Sequence, residues 1–341
     1  MRAVAAFRDG VGRVRGAAAL VAGLFVLTLA TALPLSYIVR GMIAAHLGAS
    51  LAAEAAASGT NYGWWQEFTA QASGLGQTFV PSIAGFGAVL DNLDGIADNL
   101  PMVTALAVVT GGWLVVWSFL SGGILDRLAR GRKTRAHGFF AACGVHFWRL
   151  LRLGVIVLIV YAFLFGYVHG WLLTTGFDRV TRDVTVERTA FILRGLGYLL
   201  FGSLVVACNL AFDYARIRLV VEDRRSAVGA LLAGLRFLRR HLGAALGLYA
   251  LNAVAFILLV AAYGLLAPGA PRAGWSLAAV LLVGELYILG RLSLKLIFYA
   301  SETALFQGAL AHAAYTAAPT VLWPDSPAAE SIANADRLSP S

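Results

Sequence analysis

Six stretches of the chain, 16–39, 99–125, 153–173, 195–212, 242–266 and 273–300, run for about 18 to 30 residues almost without charge. At a helical rise of about 1.5 Å per residue, each is long enough to cross a hydrocarbon core roughly 30 Å thick. Lipid offers no hydrogen-bond partners, so spanning segments are helices or a closed barrel; long unbroken apolar runs, in place of alternating ten-residue ones, exclude the barrel. The predicted fold is all-α, a polytopic membrane bundle of six transmembrane helices. Charged residues make up 13% of the chain, against about a quarter in soluble domains.

The segments between the stretches alternate in basic content. One side collects Arg2, Arg8, Arg13 and Arg15, then Arg127 to Arg135, Arg149 and Arg152, then Arg216 to Arg225 and Arg236, Arg239 and Arg240. The positive-inside rule makes that side cytoplasmic and places both termini there. The net charge of +9 sits in these juxtamembrane clusters with no separate basic domain, so the expected counter-charge is anionic lipid headgroups and not nucleic acid. The first apolar run is longer than a signal-peptide core and reads as an uncleaved anchor, with cleavage near Ala30 and Ala32 the alternative. Cys143 and Cys208 form no CxxC pattern and read as small apolar residues.

On the opposite side, the 41–100 loop is acidic and helix-competent, and is expected to form an extracytoplasmic helical cap. Pro81 fits a helix first turn there, and Trp64 and Trp65 read as interfacial anchors or, alternatively, as a ligand-stacking wall. On the basic side, 139–153 and 230–242 alternate apolar residues with arginines at helical spacing, the pattern of an amphipathic segment lying in the headgroup region, with Arg236, Arg239 and Arg240 as anchors. Residues 6–20 form a weaker copy. Each copy precedes an odd-numbered span, which predicts three units, each an elbow helix plus a hairpin of spans one and two, three and four, or five and six. Residues 1–316 are then the transmembrane domain and 317–341, rich in proline and small residues, a flexible cytoplasmic tail.

The run DYARIRLVVEDRRSAVGALLAGLRFLRRHL resembles a group of bacterial six-helix membrane proteins akin to the membrane domain attached to some glycerophosphodiester phosphodiesterases. The match rests on Asp213, Ala215, Arg216, Glu222, Asp223, Ala230, Leu231, Leu235, Arg236, Arg239 and Arg240. The resemblance implies a bacterial inner-membrane location and the bundle architecture, and it supplies no activity. The phosphodiesterase barrel has no counterpart in this sequence.

Ionisable residues inside a span are costly and are the first place to look for function. The sixth stretch holds most of them. Counted from its outer boundary, Glu285 falls near the midplane, while Arg291 and Lys295, spaced i, i+4, approach the inner interface. Asn252 on the fifth stretch falls at a similar depth to Glu285 and is the expected partner for its carboxyl. These four residues form the candidate intramembrane polar site, read either as an anion or headgroup site with a titrating carboxylate, or as snorkelling bases with a satisfied buried acid. Asp213 with Arg216, and Glu222 and Asp223 with Arg224 and Arg225, read as a solvated, salt-bridged helix end. Gly111, Gly112, Gly122, Gly123, Gly195 and Gly197 read as close-packing points. No phosphate loop, nucleophile elbow, zinc motif or dinucleotide fingerprint is present, so no catalytic residue, metal or cofactor is expected. The expected function is a non-enzymatic membrane protein that organises or moves lipid or a small solute, as a homo-oligomer or with a partner membrane subunit. A transporter or channel using Glu285 and the Arg291/Lys295 face, and a membrane-embedded lipid enzyme, are the alternatives.

Overall fold

The computed structural model describes residues 2–48, 50–58, 61–79, 86–131, 134–267 and 274–311; Pro81 and the 317–341 tail lie outside them. Every regular element among the described residues is helical. The α-helices are α1 (Ala3–Arg15), α2 (Ala18–Gly48), α3 (Ala53–Ser58), α4 (Tyr62–Gln71), α5 (Phe86–Ala97), α6 (Thr104–Arg130), α7 (Ala136–Phe163), α8 (Gly176–Thr181), α9 (Glu187–Val221), α10 (Ala227–Leu266) and α11 (Trp275–Ala311). Six helical runs are long and apolar enough to cross a membrane: α2, α6, α7 continued through α8 to Thr181, α9, α10 and α11. They coincide with the six uncharged stretches, and the protein is a multi-pass membrane protein of the all-α class.

The three basic segments behave differently. Residues 139–153 are part of α7 without a break, whereas α10 is two helices joined at a kink, the non-helical backbone of His241 (φ −126°, ψ 25°), which sets the 230–240 segment off from the span that follows. The first, α1, is a separate helix packed against the bundle by one face. It crosses α11 and α10 with Ala6, Gly10 and Val14 buried. Arg13 fastens it, donating to the Leu128 carbonyl at 2.9 Å and to Gln307 Oε1 at 2.8 Å.

Besides α1 on α11, the tightest pairings, α6 with α7 and α9 with α10, run through the short turns at the arginine-rich end. Gly131, left-handed at φ 65°, turns α6 into α7, and a Cβ on Gly123 would meet Cys143 Sγ at 2.5 Å and the Phe139 carbonyl at 2.8 Å. Gly234 likewise lets α10 approach the backbone of Tyr214 and Ala215 in α9. Span one, α2, packs chiefly on α11, with at most marginal contact to α6. Of the glycines read as packing points, Gly122, Gly123 and Gly197 meet neighbours, whereas Gly111, Gly112 and Gly195 face open space.

The fully buried side chains, among them Ile124, Leu125, Leu153, Tyr214, Leu248, Leu305 and Phe306, gather toward the arginine-rich end. Leu33, Leu199, Leu258 and Leu282, on the other half of the spans, are more than half exposed. Such faces suit acyl chains, which are as apolar as leucine; helix association in lipid depends on packing and not on removal from water.

The loop beyond α2 folds on itself. Trp64 and Phe68, one turn apart on α4, stack at 5.4 Å and close over His46 and Phe79, and Trp64 Nε1 donates to His46 Nδ1 at 2.9 Å. Trp64 is therefore a 7%-exposed core residue of the loop and not an interfacial anchor; i, i+4 spacing turns it and Phe68 toward the same neighbour. Trp65 is half-buried with its N–H on the Phe79 carbonyl. Trp64→Phe removes one hydrogen bond and leaves the His46 nitrogen unpaired, about 1 kcal/mol. Proteolytic cleavage within 61–79 is expected to quicken roughly fivefold, with unfolding of the spans unchanged.

Farther along the loop, Asn99 donates to the Phe165 carbonyl, His169 bonds the Ala97 carbonyl and Tyr198 donates to Asp98. Phe165 and His169 lie in a π-helical turn, Leu164–His169. The extra residue per turn offsets the carbonyl ladder there.

Candidate functional site

The polar centre of the bundle is built on α11 and α9. Lys295 places Nζ 3.7 Å from the ring centroid of Trp117 on α6, and Trp117 Nε1 donates to Tyr299 Oη at 3.2 Å, one turn along from Lys295. Arg291, one turn the other way, and Lys295 are both exposed. From α9, Arg216 pairs with Asp213 at 2.7 Å; Arg216, Arg291 and Asp213 all lie within electrostatic range of Lys295. Tyr161 donates to Asn209 at 2.6 Å, and Asn209 reaches Tyr249 at 3.5 Å, extending the polar layer across α7, α9 and α10.

The depth of this cluster follows from the antiparallel register of α10 and α11. Tyr263 stacks on Tyr287 at 4.4 Å, Leu259 closes on Gly290, and Tyr249 meets Phe298 edge-on at 5.3 Å. Lys295 is then level with the middle of the 242–266 stretch, and Glu285 with the last turn of α10. The first turns of α11 extend beyond the end of α10, and Glu285 is not level with Asn252. Glu285 is half-buried, and its Oε2 has no hydrogen-bond partner. Asn252 is not its partner. The Asn252 amide donates to the Leu248 carbonyl and to Ser301 Oγ at 3.2 Å, and Ser301 is about 24 Å along the axis from Glu285. Lys295 is about 15 Å from Glu285 in the same direction. Of the four expected site residues, Arg291 and Lys295 belong together; Glu285 and Asn252 stand apart.

Two features escape a reading of the sequence. Asp213, expected in a solvated helix end, is 8% exposed, because α9 continues inside the core to Val220. Glu302 is 1% exposed with neither carboxylate oxygen hydrogen-bonded, and it lies within electrostatic range of Asp213 and Arg216. Its place on the Arg291/Lys295 face was the available signal. The centre therefore brings three cations, Arg216, Arg291 and Lys295, together with two carboxylates, only one of them hydrogen-bonded.

The other acids are committed at the surface of the arginine-rich end. Glu222 is shared by Arg218 and Arg224, and Asp223 pairs with Arg149 of α7. Arg236, Arg239 and Arg240 are exposed on α10. The rings of Tyr214, Phe237 and Phe306, with centroids 5.0 Å apart at both contacts, pack near the buried carboxylates, and Phe237 also faces the arginine-lined end. No metal-binding cluster of three or more His, Cys, Asp or Glu occurs among the described residues. Comparison with known proteins found no matching family model, no matching curated protein and no matching solved structure.

Proposed function

We propose that this is a non-enzymatic protein of the bacterial inner membrane, with its arginine-rich end and both termini in the cytoplasm, that organises or moves anionic lipid. The observation that carries the reading is Lys295, a mid-span cation that stays exposed and shares its surroundings with Arg216 and Arg291. An exposed cationic group at that depth is costly unless water or an anion meets it. The apolar faces beside it suit the chains of a lipid whose headgroup meets the bases. Trp117 holds the ammonium by a cation–π contact, which keeps it from snorkelling.

The lipid-enzyme alternative loses its groups, since Asp213, Glu222 and Asp223 are all engaged by arginines. A transporter or channel relying on Glu285 loses its geometry, since that carboxyl is about 15 Å from the bases. The reading extends to a homo-oligomer or a complex with a partner membrane subunit.

The test is reconstitution into phosphatidylcholine vesicles carrying a trace of fluorescent phosphatidylglycerol, with exposure of the label followed by external quenching. Lys295→Met with Arg291→Leu is expected to bring the rate of label exchange down to that of protein-free vesicles, at equal protein incorporation. A wild-type rate equal to that of empty vesicles sinks lipid movement. A double variant as fast as wild type removes the bases from the mechanism.

A further inference from the structure

A cavity of about 310 Å³ opens at the arginine-rich end, separate from the Lys295 cluster. Arg218 of α9, Arg224 of the turn that follows it, and Arg236, Arg240 and His241 of α10 line it. Its apolar floor is Phe237 with Ala309 and Leu310 of α11. Sequence periodicity explains the wall from α10, since Arg236 and Arg240 are one turn apart, while Arg239 points elsewhere and lines no part of it. His241 caps that wall at the one non-helical residue of α10, stacked on Phe237 at 4.6 Å.

The charges do not balance. Four guanidinium groups meet one carboxylate, Glu222, which already pairs with Arg218 at 3.2 Å and with Arg224. Among the described residues, Arg236 and Arg240 have no ion pair; Arg236 has only a long 3.5 Å bond to its own helix. Arg218 Nε is buried without a partner, its guanidinium 5.3 Å from the Phe306 centroid. A positively charged cavity with unused N–H donors and an apolar floor fits a compact anion with an apolar continuation, and guanidinium forks match phosphate oxygens in pairs.

We propose that this cavity binds a phosphate group, presented by the headgroup of an anionic phospholipid whose chains continue over Phe237 and Leu310. Inorganic phosphate carries the same recognised chemistry without the chains. The site stands or falls independently of whether the protein moves lipid.

The experiment compares full-length wild type, Arg236→Ala/Arg240→Ala, and Arg239→Ala. All three changes fall on exposed side chains of one helix, so folding is retained in each and is checked by thermal unfolding. Each protein is purified in detergent and offered phosphatidic acid, phosphatidylcholine or inorganic phosphate, and retained ligand is counted by native mass spectrometry and by shift of the unfolding temperature. Wild type is expected to retain phosphatidic acid, with affinity roughly tenfold lower in the double variant and unchanged in Arg239→Ala. Phosphatidylcholine is expected to compete weakly, and binding to weaken with salt. Stabilisation by inorganic phosphate equal to that by phosphatidic acid, and lost in the double variant, assigns the cavity to free phosphate in place of lipid. Equal retention by wild type and the double variant, or an equal loss in Arg239→Ala, overturns the site, the latter because diffuse surface charge would then account for binding.

Discussion

Gly10→Ala is expected to lower the unfolding temperature of the purified protein by about 2–6 °C, while Gly12→Ala, two positions along the same short helix, leaves it unchanged or raises it. The difference lies in what a single methyl group meets. At Gly10 it would sit 2.7 Å from the Ser301 nitrogen and Cβ and 2.8 Å from its Cα, so backbone of α11 stands in the way; at Gly12 nothing lies within 4 Å. No rotamer change relieves a clash with backbone, so α1 must lift off α11. That movement disturbs the seat of Ala6 and Val14, the Arg13 bonds to Leu128 and Gln307, and the Ser301 hydroxyl that accepts from Asn252. Overpacking of this kind costs about 1–3 kcal/mol. At exposed Gly12 the same change only recovers helix propensity, up to about 1 kcal/mol. Thermal unfolding of both variants in one detergent checks the pair. Equal shifts would show that α1 is an interfacial segment after all and not a packed element.

The spans were legible because the bilayer imposes a rule that composition cannot hide: about twenty residues without charge, and a helix to satisfy the backbone. Their true lengths were not, since Phe139 to Leu153 are good helix formers whose arginines read as an interface and in fact continue α7, whereas the similar Ala230 to Leu242 segment is set off by the kink at His241. Helix pairing depends on where small residues allow backbones to meet. Gly123 and Gly111 look alike in sequence, yet one rests against Cys143 and the other against nothing. Depth was the third quantity out of reach. It is set by register against a neighbour, here the Tyr263–Tyr287 stack, which puts Glu285 level with the last turn of α10 and Lys295 level with the middle of the 242–266 stretch. Asp213 and Arg216 were seen as a pair, correctly, but their burial depends on α6, α7, α10 and α11 closing around α9.

That burial makes Arg216→Met the other large effect. Asp213 has its 2.7 Å partner in Arg216, and Glu302 has no hydrogen bond of its own while lying within range of the same guanidinium. Removing Arg216 leaves two buried carboxylates facing one another with Lys295 and Arg291 at greater remove, a loss of about 3 kcal/mol, the lower end for a broken buried pair because the Arg216 side chain is itself 28% exposed. Asp213→Asn is expected to do less harm than Arg216→Met. The amide still accepts a hydrogen bond from Arg216, and Glu302 remains to balance the guanidinium charge. Adding Asp213→Asn to Arg216→Met should then recover about half of the lost stability, because the repulsion between the two carboxylates disappears with the charge that caused it. The measurement is a double-mutant cycle on unfolding in detergent, with the yield of monodisperse protein as a second readout. A cycle in which the two single variants are equally damaging, and the double variant is as unstable as their sum, would mean that Asp213 and Arg216 act separately and that Glu302 takes no part in balancing them.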